Sequence, residues 1–415
     1  MKLKFGLIAL VLLGVLLPNL FARGGSQTGS TTGKTTITVW EHENSFEESL
    51  KQVIAGFEKK YPNITVAYEL KSTDYYSVLN TALSSGAGPD LFWTHGTNTG
   101  NMAEYVKNNV LLDLTGKVDY STIPASALSI SDIGGKRYSV PWLMMDTRAV
   151  YYNVDMFNQH GWAVPKTFAE FEALLPKIKD AGIIPISLSP NDSWSLLFAF
   201  EPILSGFDPA YTRSLANYPV SVTAKPVSDV LTKMLDWADK GYFGANWLGV
   251  INSNAQILAF TTGKAAMNID GSWAASTISE NNPALNYSAF SIPAADGTTG
   301  LVGTLSNGFS VNAASKNLDA ALLFANYCAS LEAQTIWVQS QGGLSASPQI
   351  KSSTAIADAI SRSGQGNVYT SWYDVLNKHS KNSEACSIWD QDSTKVFSKS
   401  LSLADLLKNI AALMD

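Results

Sequence analysis

The chain has 415 residues, of which 46% are hydrophobic and 15% charged, and its formal net charge at pH 7 is −6. A chain of this length usually forms two domains, because one hydrophobic core rarely extends beyond about 250 to 300 residues. The acidic balance and the lack of any Lys/Arg cluster exclude the charge pattern of proteins that bind nucleic acid or anionic lipid surfaces.

The first 22 residues predict a secretory signal peptide. Lys2 and Lys4 precede an apolar run over residues 5–17, and cleavage is expected after Ala22. The apolar run is too short to span a bilayer. Residues 23–34 are rich in Gly, Ser and Thr, which predicts a flexible tether. We therefore expect a protein exported to the periplasm or the extracellular space.

The chain has two cysteines, Cys328 and Cys386. Neither lies near the predicted cleavage site, so a lipid-modified cysteine anchor is not expected. An oxidising compartment allows a disulfide between them. Cys328, however, fits the apolar stripe of a predicted helix, which favours a buried thiol. Pairing of the two cysteines stays open at this point.

Strands and helices alternate from the start of the predicted folded part. The pattern predicts strands and helices in the order strand 36–40, helix 46–60, strand 64–70, helix 75–83 and strand 90–93. Ser45 and Glu48 have the spacing of a capping box at the start of the first helix. This βαβαβ order is typical of a parallel sheet that is covered by helices.

A second run of the same kind follows. Thr167 and Glu170 predict the start of a helix, and a strand follows at 183–188. Later elements are predicted as helices 226–239 and 252–262 and strands 265–269, 287–292 and 308–312. From Leu318 onward the pattern is almost entirely helical. The sequence therefore predicts an α/β protein with two lobes, each a mainly parallel sheet flanked by helices.

Tryptophans stand at strand ends and helix starts, beside carboxylates or amides. Ligands of open parallel sheets bind beyond the carboxyl ends of the strands, so these positions are candidates for a binding site. An aromatic face next to hydroxyl acceptors suits a sugar ring, which has an apolar C–H face and a rim of hydroxyl groups. The tryptophans in such positions are Trp40, Trp93, Trp142, Trp194, Trp273 and Trp389.

Other kinds of site have less support. Glu41 and Glu43 could be paired carboxylates of a glycosidase, but alternate residues of an extended chain point to opposite faces. The same argument counts against iron binding by Tyr151 and Tyr152, which are interpreted as structural. No motif of a serine hydrolase, zinc protease or P-loop protein is present. We therefore predict no catalytic residue, no metal site and no cofactor.

Histidines and one arginine have less certain roles. His42 and His95 are interpreted first as polar loop residues, with contact to a ligand as the alternative. Arg148 is expected at the surface or at the rim of a cleft. None of the four histidines has a metal ligand at a useful spacing.

Several short motifs resemble those of family 1 extracellular solute-binding proteins of ABC sugar importers, the group that includes maltose-binding protein. The strongest are GKRYSVP at 135–141 and VYYNVDMF at 150–157. The others, in family order, are FEKKYP at 57–62, GPDL at 88–91, GKAAM at 263–267 with DGSW at 270–273, and FSVNAAS at 309–315.

The resemblance implies two lobes that close on a ligand and are joined by three chain crossings. By position these crossings lie near 144–147, 301–306 and 343–347. The implied lobes are 35–145 with 304–345, and 146–303 with 346–415. The resulting candidate ligand-binding residues are Trp40, His42, Glu43, Asn44, Trp93, Thr94, His95, Trp142, Asp146, Trp194, Asp270, Trp273, Asn307 and Trp389.

The predicted function is that of a monomeric, non-enzymatic receptor that captures a sugar and passes it to the membrane permease of an ABC importer. Two alternatives stay open. A receptor for another polar solute, such as a polyol, amino acid or polyamine, would use the same carboxylates and rings. A secreted carbohydrate-active enzyme is the third hypothesis, with Glu43 as its acid or base.

Overall fold

The computed structural model describes residues 34–71, 75–98, 100–217, 219–347, 349–352, 354–380 and 384–414. The predicted signal peptide and residues 23–33 of the predicted tether lie outside this part of the chain. The first regular element of the described residues is a strand that begins at Thr35, directly after the predicted tether. Among the described residues, no helix combines the length and the apolar character needed to cross a membrane.

The strands of the described chain are short, and most have one or both faces buried. They are β1 (Thr35–Glu41), β2 (Ile64–Leu70), β3 (Leu91–Trp93), β4 (Asp132–Ile133), β5 (Lys136–Arg137), β6 (Met144–Asn153), β7 (Ile184–Ser187), β8 (Ala265–Gly271), β9 (Tyr287–Phe290), β10 (Leu301–Leu305), β11 (Phe309–Val311), β12 (Leu344–Ser345) and β13 (Val368–Tyr369).

The helices follow the predicted apolar stripes within one or two residues where both exist. They are α1 (Glu47–Lys60), α2 (Tyr75–Ser84), α3 (Gly100–Lys107), α4 (Ala125–Leu128), α5 (Val154–His160), α6 (Phe168–Asp180), α7 (Ser193–Phe207), α8 (Pro209–Ser214), α9 (Lys225–Asp239), α10 (Ser253–Thr261), α11 (Ala274–Asn281), α12 (Leu318–Ala329), α13 (Leu331–Ser340), α14 (Ala355–Ser363), α15 (Trp372–Lys378), α16 (Glu384–Phe397) and α17 (Leu403–Ala411).

The first sheet has the strand order β11-β3-β1-β2. Strand β1 is parallel to both β2 and β3, and only β11 runs antiparallel to its neighbour. Ile37 and Val39 of β1 are fully buried because they alternate toward the same helix-covered face. This sheet is the mainly parallel one that the βαβαβ order predicts.

The second sheet has the main order β13-β10-β6-β8-β7, with β9 and β12 also paired to β6. It is mixed rather than mainly parallel, because β6 is antiparallel to all four of its partners. Only β7 with β8 and β10 with β13 are parallel pairs. The α/β class with helices flanking two sheets is confirmed.

Each sheet has its own hydrophobic core. The first core is drawn from residues 37–144 and 309–350, and the second from residues 150–292 and 372–410. Strands β6, β10 and β12 lie side by side where the chain passes between these stretches, with Met145 opposite both Leu305 and Leu344. The predicted crossings fall on these three strands, whereas the lobe boundaries stay a prediction.

The structure confirms one of the two predicted helix caps and contradicts the other. Thr167 caps α6 as predicted, since its hydroxyl accepts a hydrogen bond from the backbone N–H of Glu170 at 3.2 Å. The capping box of Ser45 and Glu48 is wrong. A 3-10 turn over Asn44–Phe46 precedes α1, and the Glu43 carboxylate accepts from the backbone N–H of Ser45.

The two cysteines do not pair. Both are buried free thiols. Cys328 belongs to the first core and Cys386 to the second, so the two side chains pack in separate parts of the molecule. The buried thiol favoured by the helical stripe at Cys328 is the outcome.

Candidate functional site

A cleft of about 660 Å³ lies between residues of the first and second sheets. This volume is in the range of about 300 to 1,000 Å³ that is usual for ligand pockets. One side, the first wall, consists of His42, Glu43, Phe46, Tyr75, Tyr76, Trp93 and His95. The opposite side, the second wall, consists of Asp192, Trp194, Phe198, Asp270, Trp273 and Tyr373.

The floor of the cleft follows the strands that connect the two sheets. Asp146 and Arg148 of β6, Thr304 and Leu305 of β10, and Asn307 line it. Nine of the fourteen candidate residues therefore line one cleft. They are His42, Glu43, Trp93, His95, Asp146, Trp194, Asp270, Trp273 and Asn307.

Three predicted tryptophans are packed away from the cleft. Trp142 is fully buried, and its ring stacks on Trp337 at 4.2 Å between centroids. Trp389 is 1% exposed and packs against Phe200 in the second core. Trp40 is buried and carries the Lys71 ammonium group 4.6 Å from its ring centroid. These three positions are corrected from ligand contacts to packing residues.

Two further candidates also lie outside the cleft lining. Thr94 is fully buried, and its hydroxyl bonds to the hydroxyl of Ser310 at 2.9 Å. Asn44 begins the 3-10 turn before α1 and is exposed. The polar groups of Thr94 are bonded within the protein, since the Asn307 amide also donates to the Thr94 carbonyl oxygen at 2.8 Å.

Two of the nine cleft residues offer little to a ligand. Asn307 is 3% exposed, and its amide bonds to Thr94 on one side and to the hydroxyl of Ser139 on the other. Trp93 is 2% exposed and stacks on Trp337. Both residues shape the cleft more than they present polar atoms to it.

The first wall begins with a tight turn after β1. The Glu41 side chain is fully buried, and its Oε1 accepts from the backbone N–H groups of His42 at 2.7 Å and Glu43 at 3.2 Å. The same oxygen lies 2.8 Å from Nδ1 of His42. This turn holds the His42 ring against the cleft, with its centroid 4.8 Å from the ring of His95.

His95 is held by Tyr76. The Tyr76 hydroxyl lies 2.5 Å from Nδ1 of His95, and the backbone N–H of His95 donates to the same hydroxyl at 3.3 Å. Burial, with a smaller contribution from nearby His42, lowers the pKa of His95 to about 3. His95 is therefore a neutral imidazole at physiological pH.

The second wall presents its aromatic rings more openly. Trp194, on the first turn of α7, is 38% exposed, and its ring lies 4.8 Å from that of Tyr373. Trp273 precedes α11 and is half-buried, with its ring 5.2 Å from that of Phe198. Asp192 caps α7 and also accepts from the backbone N–H of Ser253, which ties the starts of α7 and α10 together.

A buried ion pair supports this wall. Nε of Arg148 donates to Oε2 of Glu201 at 2.7 Å, and both side chains are almost completely buried. The guanidinium carbon lies 4.2 Å from the Phe198 ring centroid and 5.6 Å from that of Trp273. Of the two positions expected for Arg148, the surface is wrong, because a carboxylate and two aromatic faces enclose its charge. The residue lines the cleft.

Two carboxylates in the cleft keep an oxygen without a partner among the described residues. These atoms are Oδ1 of Asp146 and Oδ2 of Asp270. The other Asp270 oxygen accepts from the backbone N–H of Gly271 at 2.7 Å. Burial raises the pKa of each carboxyl group to about 7, although Arg148 acts in the opposite direction. Both oxygens are buried, and burial without a partner is costly unless a ligand or a water molecule completes their hydrogen bonds.

Several cleft residues were not among the candidates, namely Phe46, Tyr75, Tyr76, Phe198 and Tyr373. Tyr75 and Tyr76 open the predicted helix that follows β2, so the same strand-end argument could have found them. Phe198 and Tyr373 had no such signal. Phe198 lies within α7 and Tyr373 on the first turn of α15, and both helices reach the cleft only through tertiary packing.

Residues 43–335 match the family model of the bacterial extracellular solute-binding proteins. The chain is 28% identical over 332 residues to the multiple sugar-binding protein of Streptococcus mutans, and the match covers 78% of each chain. It is 26% identical over 195 residues to the melibiose/raffinose/stachyose-binding protein MelE of Bacillus subtilis, covering 45% of each chain.

Solved structures of low identity share the fold. The solute-binding protein RafE in complex with raffinose superposes with a TM-score of 0.74 at 22% identity, covering 92% of this chain and 98% of that one. A sugar transporter protein of Bacillus licheniformis in complex with stachyose gives a TM-score of 0.70 at 16% identity, covering 91% and 98%. The two-lobed binding-protein fold is thereby confirmed. The family model matches more than half of this chain. The chain therefore belongs to the bacterial extracellular solute-binding proteins, a family of binding proteins and not of enzymes.

Proposed function

We propose that the protein is an exported receptor that captures a mono- or oligosaccharide and delivers it to the membrane permease of an ABC importer. The observation that carries this proposal is the combination of groups in the second wall. There the unpartnered Oδ2 of Asp270 lies in the same cleft as the accessible rings of Trp194 and Trp273.

The chemistry of this wall suits a neutral polyhydroxylated ring. The aromatic faces can cover the apolar C–H face of a sugar, while carboxylate oxygens accept hydrogen bonds from its hydroxyl groups. Asp146 on the floor adds a second acceptor. The positive charge of Arg148 is already paired with Glu201, so the cleft has no free cation in its described part to attract an anionic ligand.

Named ligands of relatives support the same class. The solved structures of similar fold include complexes with raffinose and stachyose and a chitin oligosaccharide binding protein. The curated relatives include a multiple sugar-binding protein. The predicted signal peptide and the family together support export.

Release and delivery would depend on closure of the cleft. Strands β6, β10 and β12 connect the two sheets through short pairings around Met145. A change in backbone angles there would swing the second wall toward the first, with lobes of 35–145 plus 304–345 and 146–303 plus 346–415. A ligand that contacts both walls stabilises the closed form, which the permease would recognise.

Binding of a sugar can be tested directly on the purified protein. We expect intrinsic fluorescence to change and the melting temperature to rise when raffinose, stachyose, maltose or N,N′-diacetylchitobiose binds. Native mass spectrometry of the protein as purified would identify any retained ligand. If no sugar in such a panel binds and none is retained, the sugar assignment is wrong.

A cationic solute is the second candidate, because the cleft contains Asp146, Asp192 and Asp270, with two unpartnered carboxylate oxygens. Aromatic rings around carboxylates also bind ammonium groups. Spermidine and choline should therefore be titrated in parallel. Tighter binding of an amine than of any neutral sugar would favour this second function.

A further inference from the structure

The two histidines of the first wall contact the protein through the same ring nitrogen but have different partners. In His42 and in His95 it is Nδ1 that contacts a neighbouring group, namely Glu41 and Tyr76. Among the described residues, Nε2 of neither ring has a hydrogen-bond partner. Both rings line the cleft and meet edge to face, with centroids 4.8 Å apart.

The Glu41 carboxylate determines the proton position on His42. Its Oε1 already accepts two backbone N–H groups, so it acts as an acceptor toward the ring as well. Nδ1 of His42 must therefore carry the hydrogen of the 2.8 Å contact. In the neutral ring, Nε2 is then left as a hydrogen-bond acceptor.

The Tyr76 hydroxyl determines the opposite arrangement on His95. It accepts the backbone N–H of His95, and it lies 2.5 Å from Nδ1 of the same residue. The two atoms are the same whichever of them carries the hydrogen, but a phenol O–H is a stronger acid than an imidazole N–H, and the imidazole nitrogen is the stronger acceptor of the two. Tyr76 then donates to Nδ1, and Nε2 of the neutral His95 ring carries the hydrogen. The low pKa of His95, about 3, keeps the ring neutral.

From this geometry we infer that His42 and His95 form an acceptor and donor pair that recognises hydroxyl groups of the bound sugar and so selects among sugars. The inference rests on the proposed function. A hydroxyl group can donate to Nε2 of His42 while it, or its neighbour on the ring, accepts from Nε2–H of His95. A sugar with that hydroxyl missing or inverted would leave one nitrogen desolvated and unpaired. Glu41 and Tyr76 are positioning residues for this pair.

The proton positions can be measured before any ligand is known. The protein has four histidines, so long-range ¹⁵N–¹H NMR spectra of the imidazole rings can be assigned with single His→Gln variants. We expect the Nδ1–H form for His42 and the Nε2–H form for His95. Tyr76→Phe should change the tautomer of His95, whereas Tyr75→Phe should not, because the Tyr75 hydroxyl donates to the carbonyl of Trp93. Two histidines with the same tautomer would overturn the inference.

Calorimetric titrations then test whether the two histidines recognise the sugar. The probes are raffinose, stachyose, maltose and N,N′-diacetylchitobiose. For each probe that the unmodified protein binds, His95→Phe should weaken binding about 10- to 100-fold. His95→Gln keeps an N–H donor near the Nε2 position and should lose much less. His160→Gln is the matched control, since His160 stacks on Trp162 outside the cleft.

The outcomes separate the two levels of the proposal. If no probe binds to the unmodified protein, the proposed sugar function fails and this inference fails with it. If a probe binds and His95→Phe has the affinity of the His160→Gln control, the sugar function stands and the inference is overturned. If two of these probes bind the unmodified protein with different affinities and that ratio falls toward one in His95→Phe, the result would support a role in selection.

Discussion

The two walls of the cleft contain the same types of side chain in opposite states. In the first wall Phe46, Tyr75 and Trp93 are all buried. In the second wall Trp194 is 38% exposed, and its aromatic neighbours are partly accessible. An aromatic residue near a strand end can therefore either pack under a binding surface or form part of that surface.

The reason lies in what covers each sheet. Trp337 of α13 stacks on Trp142 at 4.2 Å and on Trp93 at 5.9 Å, so three indole rings form one packed layer under the first wall. Within the part of the chain that the structure describes, no such layer covers Trp194 and Trp273, which stand at the starts of α7 and α11. The first wall therefore offers polar ring atoms, and the second offers aromatic faces.

The largest expected effect on stability comes from a substitution that disrupts the packed layer of indole rings. Trp142→Ala should lower the free energy of unfolding by about 3 to 5 kcal/mol, because it leaves a large cavity in a core. Trp194→Ala should change that free energy by less than about 1 kcal/mol, yet weaken sugar binding about tenfold. Urea unfolding and calorimetric titration of both variants measure the two effects. Equal losses of stability in both variants would contradict the contrast between the walls.

A comparable effect is expected beneath the second wall. Arg148→Met should cost about 3 to 5 kcal/mol of unfolding free energy, because it leaves the buried carboxylate of Glu201 without its cation. The double variant Arg148→Met with Glu201→Gln removes that charge and should recover most of the loss. If the double variant is as unstable as the single one in urea unfolding, the cost is one of packing and not of charge.

A smaller effect concerns the acceptor of the second wall. Asp270→Asn should weaken sugar binding about tenfold, because one unpartnered carboxylate oxygen is lost. Burial raises the folded-state pKa of Asp270 from its ordinary value of 3.8 to about 7. The folded protein therefore holds this proton more tightly than the unfolded chain. Its contribution to stability is present below pH 4 and is lost as the pH rises to about 7.

The pH dependence gives this variant an independent measurement. Between about pH 4 and pH 7, the unfolding free energy of the unmodified protein should fall more steeply with pH than that of Asp270→Asn. Asp236→Asn is the control, because Asp236 forms an exposed pair with Lys240. Parallel curves for the unmodified protein and Asp270→Asn would show that the Asp270 carboxyl group is not desolvated in the folded state.

The smallest expected effect concerns the two free cysteines, one in each core. Because Cys328 and Cys386 lie in separate cores, a reducing agent should leave the melting temperature unchanged. Thiol labelling under denaturing, non-reducing conditions should find two reactive cysteines. A single disulfide found by mass spectrometry would contradict the arrangement of the cores.

Elements with a clear local pattern could be predicted from the sequence. The apolar stripes place α1 and α6 within a residue or two, and Thr167 caps α6 through its own side chain. Signals that depend on competition between neighbours were less reliable. Ser45 has the right spacing for a capping box, but the Glu43 carboxylate reaches its backbone N–H first and a 3-10 turn forms instead.

The candidate site could be predicted in position but not in detail. His42 and Asp270 could be predicted from their places beside strand ends, because the connectivity of an α/β sheet brings such loops together. Asp146 lies within β6 and was predicted only from the family resemblance. The strand-end positions could not separate Trp93 from Trp194, since the difference depends on whether α13 lies over the ring. Phe198 reaches the cleft from within α7, and Tyr373 reaches it from the first turn of α15, a helix that only tertiary packing brings to the cleft.

The amino-acid sequence by itself determined the alternation of strands and helices and the family motifs, because each of these depends on residues close together in the chain. It also determined the acidic net charge, which depends on composition alone. Only the tertiary structure decided which aromatic rings face the cleft, which carboxylates lack a partner and which nitrogen of each histidine is available. Those properties depend on contacts such as Arg148 with Glu201 and Trp142 with Trp337, whose members lie far apart in sequence.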